Sequence, residues 1–355
     1  MSNKASNSLH QLIKSLSKPE KRYFKIYSSK HMINQVSNYQ KLFDAIASQD
    51  EYNEEAILKK FKEEGFIRRF SITKNRLYNT ILRSLDAFHA NSSIEAQLKR
   101  QIHHIEILYR KSLYGQASKL LNGAKKTAVK HELFTSLLEL SKWDKRLKEQ
   151  RSYEGEDEPS LKKHHDEDLN YLGKLEEFSQ LWLSKSQVFN LLYKKGRSRS
   201  TSDKSLFDDA IGPLLQLSPP EGSRENTYLY LHTMSAYYYS INDHPKCYDF
   251  LKANVDHLSN HPEQFKDEPN IFLSVLSNAI FVGNQLGKFE SSHQLLLKVK
   301  ALPAELGDRL TNDMASRIFA TAGSLELSMH IHSGQFDRGM QILPKIENEL
   351  AIYES

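Results

Sequence analysis

A short pattern that occurs three times constrains the fold of this chain more than any other feature. A small residue is followed two positions later by an aromatic residue and, three positions after that, by a second small residue. Each copy lies between two segments with helical spacing of apolar residues, so it predicts the tight turn of a helical hairpin. Repeated hairpins pack into a solenoid, whose curved surface suits binding better than an enclosed reaction site. The three copies are Ser112-Tyr114-Ala117, Gly287-Phe289-Ser292 and Gly334-Phe336-Gly339.

The predicted turns of the second half of the chain are evenly spaced. Gly196, Asp243, Gly287 and Gly334 follow one another at intervals of 47, 44 and 47 residues. Only 14 Gly and 10 Pro occur among 355 residues, which favours long helices over a turn-rich sheet fold. We therefore predict an all-α protein in which residues 93–355 form a right-handed solenoid of about six long helical hairpins.

Residues 1–90 differ from this pattern and predict a separate, basic helical module. Its helical segments are shorter and carry clear start signals: Ser17 and Glu20 have the spacing of a capping box, and Asn53 is a favourable N-cap residue. The last helix of the module is predicted from about Thr73 to His89. Its buried stripe is expected to contain Tyr78, Ile81, Leu82, Leu85 and Phe88.

Between this module and the evenly spaced turns, composition predicts the helix boundaries. A long helix is expected near 131–150, followed by an acidic connector over 153–159 that is predicted to be solvated and mobile. The partner helix is expected to contain Leu161, Leu169 and Leu172, and a third pair is expected to begin at about residue 175. The segment 195–202 has the composition of an exposed loop and predicts the break within that third pair.

The turn segments resemble those of tetratricopeptide repeats. Leu286–Ser292, followed by Leu296, Val299 and Pro303, is similar to the turn and second helix of such a repeat, and the segments 112–117 and 334–339 are similar too. The spacing of the turns exceeds the usual period of about 34 residues. The resemblance implies a non-enzymatic scaffold that binds a protein or peptide segment in a concave groove.

The same resemblance implies a set of groove residues. Asn278 occupies a position where such repeats often direct an amide into the groove, and Asn284 and Gln285 lie further along the same helix. These amides are expected to hold a peptide backbone or carboxylate. The alternative interpretation is that they are exposed polar residues on a helix.

A tyrosine-rich segment adds two further candidates. Tyr230, Met234 and Tyr237 are spaced by four and three residues, which places them on one stripe of a helix. This spacing favours packing against the next hairpin. If the hydroxyl groups instead line the groove, Tyr230 and Tyr237 would contact a bound peptide.

The charge distribution supports an alternative function. Residues 1–151 contain 29 Lys and Arg against 15 Asp and Glu, whereas residues 152–355 contain 20 against 29. A basic half attracts nucleic acid, an acidic protein surface or the acidic half of a second copy. The helical segments on either side of Gly65 suggest a helix-turn-helix, and the chain would then be a nucleic-acid-binding regulator with a helical-repeat sensor domain. Its contact residues would be Arg68, Arg69, Lys74, Arg76 and Arg83.

Residues that carry chemistry are scarce. No glycine-rich phosphate loop or nucleophile elbow occurs in the sequence. The segment His164–Asp168 is the densest group of potential metal ligands, but consecutive residues of a helix point in different directions and do not converge on one ion. Cys247, the only cysteine, is interpreted as a packing residue. We predict no catalytic residue, no cofactor and no metal.

The two ends of the sequence lead to predictions about location and association. The N-terminus has no apolar run of signal-peptide length, and no segment approaches 18 uninterrupted apolar residues, so a cytoplasmic protein without a membrane partner is expected. Residues 349–355 still carry apolar residues in helical register. We expect either self-association through the C-terminal helices or a natural protein that continues beyond Ser355.

Overall fold

A computed structural model describes residues 7–31, 36–90, 93–215, 220, 222–265 and 268–354. Every regular element within these residues is a helix and none is a strand, which confirms the prediction of an all-α protein. Contacts divide the chain into two units, Met1–Ser112 and Leu113–Ser355. In the described part of the chain, no helix combines the length and the apolar character needed to cross a bilayer.

The first unit packs most of its helices around a core of aliphatic and aromatic side chains. Phe24 and Phe43 are fully buried, and their rings stack with centroids 4.6 Å apart. The longest helix, α5, packs against α1, α2 and α3. The helices are α1 (Ser8–Ser15), α2 (Lys18–His31), α3 (Val36–Ala47), α4 (Glu54–Lys60), a 3₁₀ turn (Gly65–Arg69), α5 (Phe70–Phe88) and α6 (Ile94–Arg110).

The predicted helix starts of the first unit are confirmed. The Ser17 backbone N–H donates to Glu20 Oε2 at 2.7 Å, and the Glu20 N–H faces Ser17 Oγ at 3.4 Å, as in a capping box. Asn53 Oδ1 accepts from the Ala56 N–H at 2.9 Å at the start of α4. Both caps satisfy backbone donors that have no partner inside the helix.

The predicted stripe of α5 is only partly right. Leu82 and Phe88 are 42% and 40% exposed, and Ile81 is the only fully buried residue of the predicted five. Phe70, Leu77 and Ile81 of this helix instead lie in the core that it shares with α1, α2 and α3. The buried residues are Phe70, Thr73, Leu77, Ile81 and Ser84.

The second unit is a succession of helices in which each contacts its neighbours along the chain. In addition, α9 packs on α11, α12 on α14 and α14 on α16. The elements are α7 (Tyr114–Lys130), α8 (Phe134–Gln150), α9 (Glu158–Lys195), α10 (Thr201–Leu215), α11 (Arg224–Ser240), α12 (His244–Asn260), α13 (Pro262–Phe265), α14 (Pro269–Gln285), α15 (Phe289–Leu306), a 3₁₀ turn (Gly307–Arg309), α16 (Asn312–His332) and α17 (Phe336–Glu354).

Five of the connections between helices have the same backbone form. In each, one residue adopts a positive φ and the next helix begins two positions later. At four of them the N–H of the residue after the positive-φ residue donates to the carbonyl five positions before it, as in a Schellman motif. The Lys288 N–H, for example, donates to the Gly283 carbonyl at 2.8 Å. The predicted turns at 112, 243, 287 and 334 belong to this set, and the structure adds the connection at Glu132. The positive-φ residues are Ser112, Glu132, Asn242, Gly287 and Gly334.

The predicted boundary near residue 175 is wrong, because α9 is one continuous helix of 38 residues. It starts with a capping box between Asp157 and Ser160, in which the Ser160 N–H donates to Asp157 Oδ1 at 2.8 Å. At about 1.5 Å per residue the helix is about 57 Å long. It packs on α8 with its first part and also contacts α10 and α11. The helices assigned to two successive pairs are therefore a single element.

Two glycines on these helices predict opposite effects of the same substitution. Gly173 lies on α9 with nothing near the position of a Cβ, so Gly173→Ala should raise the free energy of unfolding by about 0.5–1 kcal/mol. At Gly283 on α14 a Cβ would lie 2.7 Å from Ser292 Oγ and 3.1 Å from Tyr248 Cε2. Gly283→Ala should therefore lower the free energy of unfolding by about 1–3 kcal/mol. Urea unfolding of both variants provides the measurement, and effects of equal sign would contradict this account.

Candidate functional site

The second unit contains a pocket that is built from four helices. It has a volume of about 200 Å³ and collects side chains from α9, α11, α12 and α14. None of the described residues that line it is charged. Aromatic and small polar side chains dominate the wall, among them Phe189, His232, Ser235, Tyr239, Asn278 and Phe281.

His232 is the most unusual residue of this pocket. Its ring is held between two aromatic rings, Phe189 at 5.2 Å and Tyr228 at 5.6 Å between centroids, both in stacked orientation. Burial, together with the charge of Lys185, lowers the pKa of His232 to about 4, so the ring is neutral at pH 7. Its Nδ1 atom is buried and has no hydrogen-bond partner among the described residues. An unpaired buried polar atom of this kind costs about 1–3 kcal/mol.

The three predicted amide residues of α14 do not lie together. Asn278 is exposed and lines the pocket, and Gln285 is exposed but does not line it. Asn284 is 1% exposed, and neither atom of its amide group has a partner among the described residues. The pocket residue Asn278 and the core residue Asn284 are about 1.7 turns apart, so their side chains leave α14 on different sides.

The two candidate tyrosines belong to the core. Tyr230 and Tyr237 are 9% and 7% exposed and lie in the apolar cluster formed with α9 and α10. The Tyr237 hydroxyl donates to Asp208 Oδ1 at 2.6 Å. Burial and this acceptor raise the pKa of Tyr237 well above its usual value, and burial also raises that of Tyr230. The helical spacing of these tyrosines therefore reflects packing, as the first of the two interpretations above predicts, and not a lining of the groove.

Cys247 also lines the pocket, but its thiol is poorly reactive. The residue is 2% exposed, and burial, with the nearby carboxylate of Asp243, raises the pKa of the thiol to about 12. The reactive species of a cysteine is the thiolate, which is scarce at pH 7 under these conditions. This agrees with a packing role.

A buried polar cluster between α8 and α9 accounts for two residues of the histidine-rich segment. Ser141 Oγ lies 2.8 Å from His164 Nε2 and 2.8 Å from Asp168 Oδ2, and Asp168 also accepts from Lys145 Nζ at 2.6 Å. On the other side of the ring, His164 Nδ1 lies 3.2 Å from Asp144 Oδ2. Ser141, His164 and Asp168 are each less than a tenth exposed. The described residues contain no group of three or more ligands able to hold a metal ion.

The protons of this cluster are distributed between two carboxylates. The Ser141 hydroxyl donates to Asp168 Oδ2. Burial opposes ionisation of Asp168, yet the Lys145 and Ser141 bonds outweigh it and lower its pKa, so the carboxylate can only accept. Burial lowers the pKa of His164, and the neutral ring carries one proton, whose position decides whether Nε2 donates to Ser141 or Nδ1 donates to Asp144. These contacts connect α8 to α9.

The predicted nucleic-acid residues of the first unit fall into two groups. Arg68, Arg69, Arg76 and Arg83 are all exposed. Lys74 forms an ion pair with Glu54 and lies 5.1 Å from the centre of the Phe70 ring. Burial opposes the charge of Glu54, but Lys74 and the Tyr52 hydroxyl outweigh this and lower its pKa. Lys74 thus has an internal partner.

The segment around Gly65 does not have the form of a tight helix-turn-helix. α4 ends at Lys60 and α5 begins at Phe70, with a 3₁₀ turn over Gly65–Arg69 between them. The usual turn of this motif has about 3–4 residues. The predicted self-association residues 349–355 lie outside the residues whose side chains are described.

The sequence analysis did not identify the main residues of the pocket or of the polar cluster between α8 and α9. His232, Phe189 and Phe281 come from three helices, and no local pattern connects them. In the polar cluster a signal was present: Ser141, Lys145 and Lys148 on α8 recur at helical spacing, as His164 and Asp168 do on α9. Two polar stripes on neighbouring helices predict a polar contact between them.

Comparisons with protein-family models, with characterised proteins and with solved structures found no significant match to this chain.

Proposed function

We propose that this chain is a non-enzymatic, cytoplasmic scaffold that binds a protein or peptide segment. In this proposal residues 93–355 form a right-handed solenoid of about six tetratricopeptide-like hairpins, and a surface shared by successive helices holds the partner. The observation that carries the proposal is the uncharged pocket to which α9, α11, α12 and α14 all contribute. A pocket made by successive helices is what a repeat uses to bind an extended chain.

The repeated turns support the same proposal. Five connections share one backbone form, and the contacts follow the chain order from α7 to α17. When each repeat contacts only its neighbours, the stacked repeats together form an extended surface. The exposed Asn278 supplies an amide at the pocket, where it is able to donate to and accept from a peptide backbone.

Selection from a random 12-residue peptide display library tests this function. We expect the full chain to enrich peptides that bind with micromolar dissociation constants in fluorescence anisotropy. Asn278→Arg places a long charged side chain at an uncharged pocket. It should weaken these peptides about tenfold or more, because a bound peptide would cover a charge that has no partner there.

Gln294→Arg is the matched control for this variant. Gln294 is an exposed amide on α15 and does not line the pocket, so the same change of charge there should leave peptide affinity within about twofold. Failure to enrich any peptide in repeated selections would contradict the proposed function. Equal weakening by both variants would place the binding surface elsewhere.

A nucleic-acid-binding regulator is the alternative function, and fewer observations favour it. The exposure of Arg68, Arg69, Arg76 and Arg83 supports it. The ion pair of Lys74 with Glu54 and the long segment between α4 and α5 do not support a helix-turn-helix. Self-association of the C-terminal helices remains part of the proposal, as an additional partner rather than as the main function.

A further inference from the structure

We infer that a groove between α8 and α9 is a docking surface for an acidic amphipathic helix of a partner protein. The groove has a volume of about 580 Å³, and the described residues that line it all belong to these two helices. It shares no lining residue with the pocket between α9, α11, α12 and α14. Docking in this groove is therefore a second binding activity, beyond the proposed one, and is tested separately from it.

Leucines from both helices form the apolar part of the groove. Leu169 and Leu172 of α9 are 52% and 50% exposed, and Leu138 of α8 is half-buried. α9 packs on α8 through the buried side chains of His164 and Asp168, which leaves the two α9 leucines uncovered. Apolar side chains that lie together on a surface and are bordered by polar residues mark an interaction site. The partner must therefore supply apolar side chains.

The charged residues of the groove select an acidic partner. Lys142 and Arg146 are exposed, lie about one turn apart on α8 and form no ion pair with a described carboxylate. The other lining cation, Lys145, pairs with Asp168 at 2.6 Å, and Glu149 at the end of α8 is the remaining lining carboxylate. Like charges at this spacing on a helix repel each other. Carboxylates of a partner would relieve the repulsion between Lys142 and Arg146.

The form of the groove favours a helical partner. Its lining residues on α8 extend from Leu138 to Glu149, which corresponds to about 17 Å or three helical turns. An amphipathic helix lays its apolar face into a groove of this kind, with anchors spaced by three and four residues. An extended peptide gains affinity by pairing with the edge of a sheet, and the described residues form no strand. A concave site between two helices also fits a rod better than it fits the flat surface of a membrane.

Three designed peptides of about 18 residues, long enough to form helices, test this docking on the full chain. The first has leucines at the i, i+3, i+4 and i+7 positions of a helix and glutamates on both sides of that stripe. The second has lysine in place of each glutamate. The third has the composition of the first, with the leucines distributed around the helix. Fluorescence anisotropy should show that the first peptide binds about tenfold or more tightly than either of the others.

Two pairs of variants locate this binding in the groove. Leu169→Asp adds a carboxylate beside the apolar side chains and should weaken the first peptide about tenfold or more. Leu297→Asp is its control, because Leu297 is 48% exposed on α15 and lies outside the groove, and affinity should stay within about twofold. Lys142→Glu should weaken the glutamate peptide and strengthen the lysine peptide. Lys126→Glu, at an exposed lysine of α7 outside the groove, should change neither.

Several outcomes would overturn the inference. It is wrong if the first and third peptides bind equally, if Leu169→Asp leaves the affinity of the first peptide unchanged, or if Lys142→Glu alters neither peptide. Binding to phosphatidylserine vesicles in the absence of peptide binding would assign the groove to a membrane surface instead. Self-association in sedimentation equilibrium that Leu169→Asp abolishes, again without peptide binding, would assign it to a second copy of this chain.

Asn278→Arg separates docking in the groove from binding at the pocket. It should leave the affinity of the first designed peptide within about twofold, because Asn278 does not line the groove. Leu169→Asp should in turn leave unchanged the display-selected peptides that Asn278→Arg weakens. Weakening of the first designed peptide by Asn278→Arg would place that peptide at the pocket and refute docking in the groove. A protein that binds the first designed peptide in the groove but enriches no display peptide would support the docking and contradict binding at the pocket.

Discussion

Phe24→Ala is expected to lower the free energy of unfolding of the first unit by about 3–5 kcal/mol. Phe24 on α2 is fully buried and stacks on the fully buried Phe43 of α3, with 4.6 Å between the ring centroids. The substitution removes a whole ring from a close-packed core, so both the transfer energy and the energy of the residual cavity are lost.

Hydrogen exchange measures this effect where it arises. The slowest amides of α2, α3 and α5 should lose protection by the stated free energy. Phe336→Ala is the matched control, because Phe336 is 63% exposed on α17 and the same change there should alter stability by less than about 1 kcal/mol. Equal effects of the two substitutions would show that Phe24 does not lie in a close-packed core.

His232→Phe is expected to make the protein less sensitive to acid. The native pKa of His232 is about 4, because burial and the charge of Lys185 disfavour the imidazolium ion. In the unfolded chain a histidine has a pKa of about 6.5. Above pH 6.5 the ring is neutral in both states and has no effect on the pH dependence. As the pH falls below 6.5, only the unfolded chain takes up the proton, and stability is lost until the native ring is protonated near pH 4.

The difference between the two pKa values sets the size of this effect. Between pH 7.5 and pH 4.5 His232 should account for about 2–3 kcal/mol of lost stability. Urea unfolding at both pH values should show that His232→Phe loses less stability than wild-type protein by this amount. Carboxylates such as Asp168, whose pKa is lowered by Lys145 and Ser141 against the effect of burial, titrate in both proteins and cancel in the comparison.

An exposed histidine provides the control for the acid experiment. His293 lies exposed on α15, and His293→Phe should retain the wild-type dependence on pH. Parallel pH profiles of wild-type protein and His232→Phe would show that the ring of His232 takes up its proton in the native protein, and this would contradict its burial as a neutral group.

The extent to which the sequence predicted this fold follows from the range of the interactions involved. The capping box at Ser17 and the turns at Gly287 and Gly334 are confirmed, because each depends on residues within about six positions of one another. The boundary near residue 175 was wrong for the opposite reason. Neither a cap nor a proline interrupts the helical register between 160 and 195, so the hydrogen bonds of α9 continue through Gly173.

The candidate site was predicted less well than the fold. Asn278 was identified and does line the pocket, whereas Asn284, about 1.7 turns further along α14, is buried. Both are asparagines on one helix, and the spacing alone gives no way of telling the groove side from the core side. Tyr230 and Tyr237 were candidates for the groove and belong to the core, because α9 and α10 cover that stripe of α11.

By itself, the sequence determined the helical class, most helix starts and the form of the connecting turns. These depend on caps, on apolar periodicity and on residues that tolerate a positive φ, and all three act over a few neighbouring positions. Only the tertiary structure decided which side of each helix is covered. It brought Phe189, His232 and Phe281 around one pocket and left Nδ1 of His232 without a described partner. Contacts between helices that are distant in sequence decide such placement, and no local pattern records them.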